Sequence, residues 1–351
     1  ISILSRSLKQ DVMLNTEINK ENKIHIDGQL IGELKGLRFI MELTSKTLDT
    51  DIKSIKKAAR KGVKEELNKR VNEIINNQEI SIDTNSRIIW KTNPIGRLKK
   101  GRDYLNPEIE IITDESLEME TNLKLENFIR KWVNNYINEV LGDLVNLTKK
   151  EIENQYLRAL VFQLYEKNGV IKRNEIDTIV KLKTLKERKK LWGMGIKIGR
   201  YHVYLPKMLK PKAVDFRVSL WKIFYNLTNK HEIPKFGLNF IINKDYDKDF
   251  FLLCGFEKFR EYFVRIDILE KLFIKILDNT EKREFKVNSD MMNLLGCTKE
   301  NFYKLMTYMN YSKGKAEDTY VFRGEKKKLN KFIKFDKKEN PFKKLLSLDI
   351  K

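Results

Sequence analysis

The sequence predicts an α+β protein that is mostly helical, in which duplicated β-hairpin/helix units are followed by winged-helix-like helical subdomains. Three observations predict this class. A hairpin-like motif recurs 64 positions further along the chain, three short helical patterns precede a hairpin with a Gly199-Arg200 tip, and a second helix–turn–helix pattern lies within residues 250–322. Periods of two and of 3.6 residues thus alternate along one chain, which is typical of α+β architecture.

The first predicted domain, residues 1–148, contains an internal repeat. The segment KIHIDGQLIGELK at residues 23–35 recurs as RIIWKTNPIGRLK at residues 87–99. Each copy alternates as a hairpin does, and we assign the turns to Asp27-Gly28 and to Thr92-Asn93-Pro94. A long amphipathic helix follows each hairpin. We therefore expect two β-hairpin-plus-helix repeats, at about residues 12–77 and 79–147.

The second predicted domain, residues 149–230, has the element order of a winged helix. A helix from Glu151 ends at Gly169, a short helix is capped by Asn174, and a third ends near Trp192. A hairpin at residues 196–205 follows, and its wing would run from Lys197 to Val203. Because winged helices often bind nucleic acid, this order indicates a binding module. The alternative is a small three-helix subdomain with a hairpin lid.

The third predicted domain, residues 250–322, follows a loop at residues 226–249 that we expect to be irregular and exposed. An aromatic-rich segment and a helix at residues 264–277 lead into a strand at residues 285–287. Two helices around the Gly296-Cys297-Thr298 turn and a strand at residues 319–322 complete a helix–turn–helix pattern. Its second helix exposes Lys299 and Lys304 but offers few groups that read bases, so sequence-specific DNA binding is not supported.

The last predicted segment, residues 323–351, is a basic tail. Lysines dominate it and its apolar content is low, apart from a Pro341-Phe342-x-x-Leu345-Leu346 patch. We expect this tail to be flexible and to act through its charge, with the patch docking onto a domain or a partner.

The chain is strongly basic. Lys and Arg number 70 against 49 Asp and Glu in 351 residues, which gives a formal net charge of +21. A charge of this size indicates a polyanionic partner, and nucleic acid is favoured over a membrane surface. One dense group of cations lies on the outer face of the first long helix, where it either contacts phosphates or forms an ordinary solvated face: Lys53, Lys56, Lys57, Arg60, Lys61 and Lys64.

Cysteine and histidine usage argues against several classes of site. The two cysteines, Cys254 and Cys297, and the three histidines have no spacing that predicts a zinc site or a disulfide framework. A reducing bacterial cytoplasm is the expected compartment, and no apolar run approaches the ~20 residues of a membrane span. Since the chain starts with Ile1, we expect it to be a segment of a longer polypeptide.

Four stretches carry a resemblance to a known family. They are GMGIKIGRYHVYLPKMLKP at residues 193–211 with Leu220-Trp221, residues 255–270, residues 294–311, and Asn340-Pro341-Phe342. In this order they resemble the region downstream of the ATPase core in alphaproteobacterial superfamily 2 DExH/D-box helicases related to the mitochondrial degradosome RNA helicase. The matches extend over residues 18–348, nearly the whole chain, although none of them is a catalytic signature.

The resemblance implies ATP-driven unwinding by a longer protein, with the core and its ATP and Mg²⁺ upstream of Ile1. This chain itself contains no phosphate-cradling G-x-x-x-x-G-K-[ST] loop. The resemblance implies instead an accessory platform that holds RNA or another single-stranded nucleic acid, or that docks a nuclease or a ribosomal particle. We identify no catalytic, cofactor-binding or metal-binding residue in the chain.

The hairpin region supplies the candidate nucleic-acid-binding residues, because cations and aromatic rings concentrate around it. They are Lys197, Arg200, Tyr201, His202, Lys207, Lys210 and Arg217. Two other functions stay open at this point. A stand-alone winged-helix DNA-binding initiator or regulator would account for the two helix–turn–helix patterns, and a protein-interaction scaffold would account for the lack of catalytic motifs.

Overall fold

A computed structural model confirms the α+β class. The chain divides into two compact units, residues 1–273 and 274–351. The predicted boundaries near residues 148 and 230 lie inside the first unit. The structure describes residues 16–26, 29–41, 49–77, 79–115, 117–149, 152–176, 185–227, 232–244, 247–281 and 283–323. The Asp27-Gly28 turn, His231 and the tail from residue 324 lie outside the described residues.

The first repeat is larger than a hairpin. Its four antiparallel strands are adjacent in sequence order: β1 Thr16–Ile18, β2 Lys23–Ile26, β3 Gln29–Lys35 and β4 Arg38–Met41. Helix α1, Asp49–Asn77, follows the sheet and buries Val63, Leu67, Val71 and Ile74 on one face, because these residues recur at three- and four-residue steps. The prediction of a single hairpin was incomplete, since β1 and β4 are too short to show a clear alternation.

The second repeat has the same plan. Its strands are β5 Ile80–Ile82, β6 Arg87–Trp90, β7 Asn93–Asp103 and β8 Asn106–Ile111, and helix α2 spans Met119–Lys149. The turn between β6 and β7 is Lys91-Thr92, not the predicted Thr92-Asn93-Pro94. Lys91 adopts a positive φ of 53°, and Pro94 pairs with Ile89 where the register shifts. A strand tolerates proline at such a bulge.

Both repeats share their strand register as well as their order. Ile24 pairs with Gly32 in the first sheet, and Ile88 pairs with Gly96 in the second. The register shifts immediately after Ile24 and after Ile88, so the bulge also recurs 64 positions later. A side chain at either glycine would press against a carbonyl oxygen of the neighbouring strand.

The next unit has the topology of a winged helix. It contains α3 Gln155–Glu166, β9 Val170–Lys172, α4 Arg173–Ile176, α5 Leu185–Gly193, β10 Lys197–Ile198 and β11 His202–Tyr204. The strand order is β10-β11-β9, so the last strand lies between the other two. Asn154 caps α3, which starts later than the predicted Glu151. Residues 177–184 lie outside the described residues.

A second unit repeats this strand order with fewer helices. After a 3₁₀ turn at Pro206–Leu209, it contains α6 Pro211–Phe224, β12 Phe240–Ile242, α7 Lys248–Leu253, β13 Phe256–Phe259 and β14 Tyr262–Arg265. Its strand order is β12-β14-β13. The segment at residues 226–249 was therefore wrongly predicted to be irregular throughout, because β12 has only three residues and shows no alternation.

A third group of strands and helices with this strand order follows helix α8, Ile266–Asp278. Residues 274–278 of that helix belong to the second compact unit. That unit contains β15 Thr280–Glu281, β16 Glu284–Lys286, α9 Ser289–Leu295, α10 Lys299–Tyr308, β17 Tyr311–Lys313 and β18 Thr319–Phe322. The order β16-β18-β17 again places the last strand in the middle. Asn288 and Thr298 cap α9 and α10, since their side chains accept hydrogen bonds from the backbone N–H groups of Met291 and Asn301.

One hydrophobic core joins the two repeats to the first winged-helix unit. Leu67 of α1, Leu141 of α2 and Leu160 of α3 are all completely buried in it. A second cluster packs Val214 and Val218 of α6 against Phe250 and Phe251 of α7. These phenylalanines are core residues, so they do not form a surface for base stacking.

Candidate nucleic-acid interface

The hairpin of residues 197–204 folds against helix α8. The buried Glu270 carboxylate accepts backbone hydrogen bonds from Arg200 at 2.6 Å, Tyr201 at 2.8 Å and His202 at 3.1 Å. Arg173 donates from Nη1 to the carbonyl of Gly199 at 2.9 Å. The backbone N–H groups at the tip are therefore used within the protein. The predicted wing at Lys197–Val203 is therefore corrected in one respect: its tip is hydrogen-bonded to Glu270 and Arg173 and does not project as a free loop.

A cluster of buried charged groups lies behind this hairpin. His202 is 1% exposed, and its Nε2 lies 2.8 Å from Oε2 of Glu257. Lys172 donates to Oε1 of the same carboxylate. Burial acts to raise the pKa of Glu257, but the His202 hydrogen bond and the Lys172 charge outweigh it and hold that pKa below its ordinary value. An ionised carboxylate only accepts, so Nε2 of His202 carries the proton.

Arg217 is also buried, contrary to its prediction as a surface ligand for nucleic acid. Its side chain is 0% exposed and lies in the interior beside α6. The guanidinium donates to the backbone carbonyls of Met208 at 3.0 Å, of Leu253 at 2.6 Å, and of Asn168. These bonds satisfy carbonyls from three segments that regular secondary structure leaves unpaired. His202 and Arg217 therefore bond to other buried groups within the protein, since neither reaches the surface.

The other predicted site residues lie at or near the surface. Lys197, Arg200, Lys207 and Lys210 are exposed. Lys207 pairs with Asp143 at 2.9 Å. Tyr201 is half-buried, and its ring packs edge-on against Phe273 with 5.9 Å between centroids, so it is not placed to stack on a base. The hairpin and the segment that follows it thus expose four cations, while the Tyr201 ring is already packed against Phe273.

Helix α5 carries a denser basic surface that the sequence reasoning missed. Lys186, Arg188, Lys189 and Lys190 are all exposed, and Trp192 is 66% exposed. No carboxylate in the described part of the chain pairs with any of these four cations. We call these five residues the α5 surface. At about 100° per residue, Lys186 and Lys189 lie opposite the buried Leu191.

The sequence does contain a signal for the α5 surface. The run LKERKKLWG has four cations, one acid and a tryptophan within nine residues, and it precedes the hairpin directly. The hairpin region gives stronger local signals than α5, because its prolines and glycines mark turns and element ends. In a winged helix the helix before the hairpin is the one that enters the nucleic acid, so topology gives α5 more weight than the wing.

The corresponding helix of the compact unit at residues 274–351, α10, is less basic. On α10, Lys299 and Lys304 are exposed as predicted. Lys299 donates to Asp318 at 2.9 Å, and the hydroxyl of Tyr303 also donates to Asp318. These two hydrogen bonds, of which the one from Tyr303 has the larger effect, hold the pKa of Asp318 below its ordinary value. Asp318 therefore stays ionised beside Lys299. The α5 surface is therefore the stronger candidate for phosphate binding.

The described residues offer little for covalent or metal chemistry. Burial raises the pKa of the Cys254 thiol to about 12 and that of Cys297 to about 11, so neither provides a thiolate near neutral pH. Among the described residues, no group of three His, Cys, Asp or Glu side chains could hold a metal ion. None of the described helices combines the length and apolarity needed to cross a membrane.

The fold and the α5 surface define an α+β protein with a winged-helix strand order and a basic helix before the hairpin. No family model and no solved structure matches the chain. A similar protein is the uncharacterized protein MG148 of Mycoplasma genitalium, which is 26% identical over 184 residues. That match covers 46% of this chain and 43% of the Mycoplasma protein. The chain thus spans less than half of the relative that it matches.

Proposed function

We propose that this chain is a nucleic-acid-binding region that holds single-stranded RNA on the α5 surface. The α5 surface itself carries the proposal. Four cations without carboxylate partners among the described residues, and one exposed tryptophan, lie on the helix that precedes the hairpin. Cations bind phosphates, and an exposed indole ring stacks on bases.

RNA is the preferred ligand for two reasons. The hairpin tip is fastened to Glu270 and so differs from a wing that inserts into a duplex groove. The α5 surface has cations and an indole, but it lacks the Asn and Gln side chains that read adenine in the major groove. Stacking on one aromatic ring requires an unpaired base, which single strands provide.

The wider role that we propose comes from the resemblance of residues 193–221 and of the three later motifs. On this proposal, the chain is the accessory C-terminal region of an ATP-dependent RNA helicase in the bacterial cytoplasm. The helicase core, in the same polypeptide, would move RNA onto the α5 surface. A nuclease or a ribosomal particle is the further partner that the resemblance implies.

A salt series tests the binding proposal. Fluorescence anisotropy would be measured for the 351-residue chain with single-stranded RNA and with duplex DNA. For single strands, log K falls by about 0.7 per phosphate contact for each unit of log salt. A Lys189→Glu/Lys190→Glu variant should bind more weakly and lose about 1.4 from the slope, if each lysine contacts one phosphate.

The matched control changes the same charge elsewhere. Lys20 and Lys69 are exposed residues of the first repeat, and Lys20→Glu/Lys69→Glu should leave the slope unchanged. Equal losses in both variants would show that only net charge matters, which contradicts the α5 site. Preference for duplex DNA would favour the initiator or regulator function, which the recurring winged-helix strand order supports.

A further inference from the structure

The second winged-helix unit has an open strand at the edge of its sheet. Strand β12 bonds to β14 in the order β12-β14-β13, and among the described residues no strand lies on its other side. An unpaired strand edge presents a row of backbone donors and acceptors to which another strand can bond. We call β12 and the residues around it, 236–243, the β12 edge.

The strand register shows which backbone groups of the β12 edge are open. Asn239 and Asn243 both bond to β14, the first through its carbonyl at 3.0 Å and the second through its N–H at 2.8 Å. Since bonded residues alternate along an antiparallel strand, Phe240 and Ile242 point their N–H and C=O groups away from β14. In the described part of the chain, no other backbone group bonds to these groups. A partner strand can therefore bond to both residues.

The β12 edge is also apolar. Residues 236–243 include no charged residue and no proline. Phe236, Leu238 and Ile242 are each about half exposed. The other edge strand of the same sheet, β13, carries Glu257 and Lys258. Charged residues and proline are the usual means by which proteins keep an edge from pairing, and residues 236–243 lack both.

Strand β12 is held in place from inside the unit. Ile241 packs against the buried cluster that contains Val214 and Phe250. The Phe240 ring lies 5.0 Å from the Tyr262 ring of β14, measured between centroids. A partner strand would thus meet a preformed template, and binding to a preformed surface loses less conformational entropy.

Two cations flank the β12 edge. Lys235 directly precedes the uncharged residues and Lys244 directly follows them, and both side chains are exposed. No carboxylate in the described residues pairs with either lysine. Acidic residues on an incoming strand would complement these charges, because opposite charges on neighbouring strands attract. The edge therefore suits an apolar strand that has an acidic residue near each end.

A second copy of the chain fits this edge poorly. Antiparallel pairing of two β12 edges would bring the lysine at each end of one copy towards a lysine of the other, and like charges destabilise such a pair. Two chains with a formal net charge of +21 also repel each other. Single-stranded RNA fits poorly as well, since the middle of the edge has no cation to bind a phosphate.

We propose that the β12 edge docks an extended segment of a partner protein, which adds a strand beside β12. This segment has alternating apolar side chains and an acidic residue near each end. Main-chain hydrogen bonds supply the affinity, and the flanking charges select the partner. The β12 edge shares no residue with the α5 surface, so this docking does not depend on the proposed RNA binding.

A peptide titration tests the β12 edge. The probe is a fluorescent peptide in which alternating valines and threonines lie between two aspartates at each end, and anisotropy would be measured with the 351-residue chain. A peptide with the same core between lysines should bind about tenfold more weakly. Lys235→Glu/Lys244→Glu should reverse this preference, whereas the Lys20→Glu/Lys69→Glu control should keep it.

A proline substitution tests the backbone hydrogen bonds. Ile242→Pro removes an N–H that points away from β14, so peptide binding should weaken about fivefold, as for the loss of one hydrogen bond. Ile82→Pro is the matched control, because Ile82 also points away from its neighbouring strand at the edge of another sheet. It should keep peptide binding. Urea midpoints show whether both variants are folded, and the charge reversal at the exposed lysines tests the edge without either proline.

Each outcome decides for or against the β12 edge. Peptide preference that follows the charge reversal, with unchanged RNA binding, supports it. No binding of the acidic peptide, or equal binding by all variants, overturns it. Dimers of the wild type that Ile242→Pro abolishes, measured by sedimentation, would assign the edge to a second copy and contradict the proposal. Loss of RNA binding in Lys235→Glu/Lys244→Glu but not in Lys189→Glu/Lys190→Glu would assign the edge to RNA and contradict both this proposal and the α5 surface.

Discussion

The carboxylate of Glu270 occupies the space that a side chain on residue 199 would need. A Cβ built on Gly199 overlaps the carboxyl carbon and both carboxyl oxygens of Glu270. The same oxygens accept the three backbone N–H groups that follow Gly199 in the hairpin. The glycine of the Gly199-Arg200 tip is therefore required by the close approach of a buried carboxylate and not by the turn alone.

We predict that Gly199→Ala lowers the free energy of unfolding by about 1–3 kcal/mol, because the added methyl group displaces Glu270 or the hairpin. Urea denaturation followed by circular dichroism measures this change. Gly193→Ala is the matched control, since nothing lies within 4 Å of a Cβ at that position. Equal stability of the two variants would mean that the Glu270 carboxylate does not hold the hairpin in solution.

Replacing Arg217 should have a larger effect. Arg217→Met leaves three buried carbonyls without a donor, and unfolding free energy should fall by roughly 3 kcal/mol or more, at about 1–3 kcal/mol per unsatisfied group. The denaturation midpoint measures the loss. Arg97→Met removes an exposed arginine whose ion pair is screened by solvent, and it should leave the midpoint close to that of the wild type. Loss of RNA binding with an unchanged midpoint would instead restore Arg217 as a surface ligand.

Acid stability should depend on Glu257. Its pKa is lower in the folded protein than the ordinary 4.5, so its contribution is present above that value and is lost as the pH falls through the folded pKa. We predict that wild-type protein loses more stability below about pH 4.5 than Glu257→Gln does. Urea midpoints across a pH series compare the two.

Glu110 provides the control for this pH series. Its pKa is also lowered, to about 2, but it is exposed, so salt screens its ion pairs. The acid dependence that Glu110→Gln removes should disappear in high salt, while that removed by Glu257→Gln should persist. Parallel behaviour of both variants would show that the His202–Glu257–Lys172 cluster is open to water.

Periodicity and turn chemistry predicted the long elements of this chain. The long helix of each repeat and the strand Thr319–Phe322 follow from residues close to one another in sequence. Strands of two or three residues, such as β10 and β12, were missed or shifted because so few residues show no period. Their pairing partners, not their own side chains, place them in a sheet.

The candidate site was predictable only in part. Sequence indicated that residues near the hairpin are basic, but it did not show that His202 meets Glu257 or that Arg217 meets Leu253, 55 and 36 residues away along the chain. Burial of a charged residue depends on such distant partners. The candidate site on α5 also depends on exposure, because only the fold shows that Trp192 lies at the surface.

A substitution at Trp192 separates the contribution of base stacking from that of charge on the α5 surface. Trp192→Ala should weaken single-stranded RNA binding by about 1–3 kcal/mol, because one base loses its stacking partner. The salt slope should stay that of the wild type, since no phosphate contact is removed, whereas Lys189→Glu reduces the slope. Anisotropy titrations at several salt concentrations measure both quantities for each variant. Trp192 is 66% exposed, so its removal should leave the denaturation midpoint close to wild type. A fall in that midpoint with unchanged affinity would assign the indole to packing, and the α5 surface would then bind by charge alone.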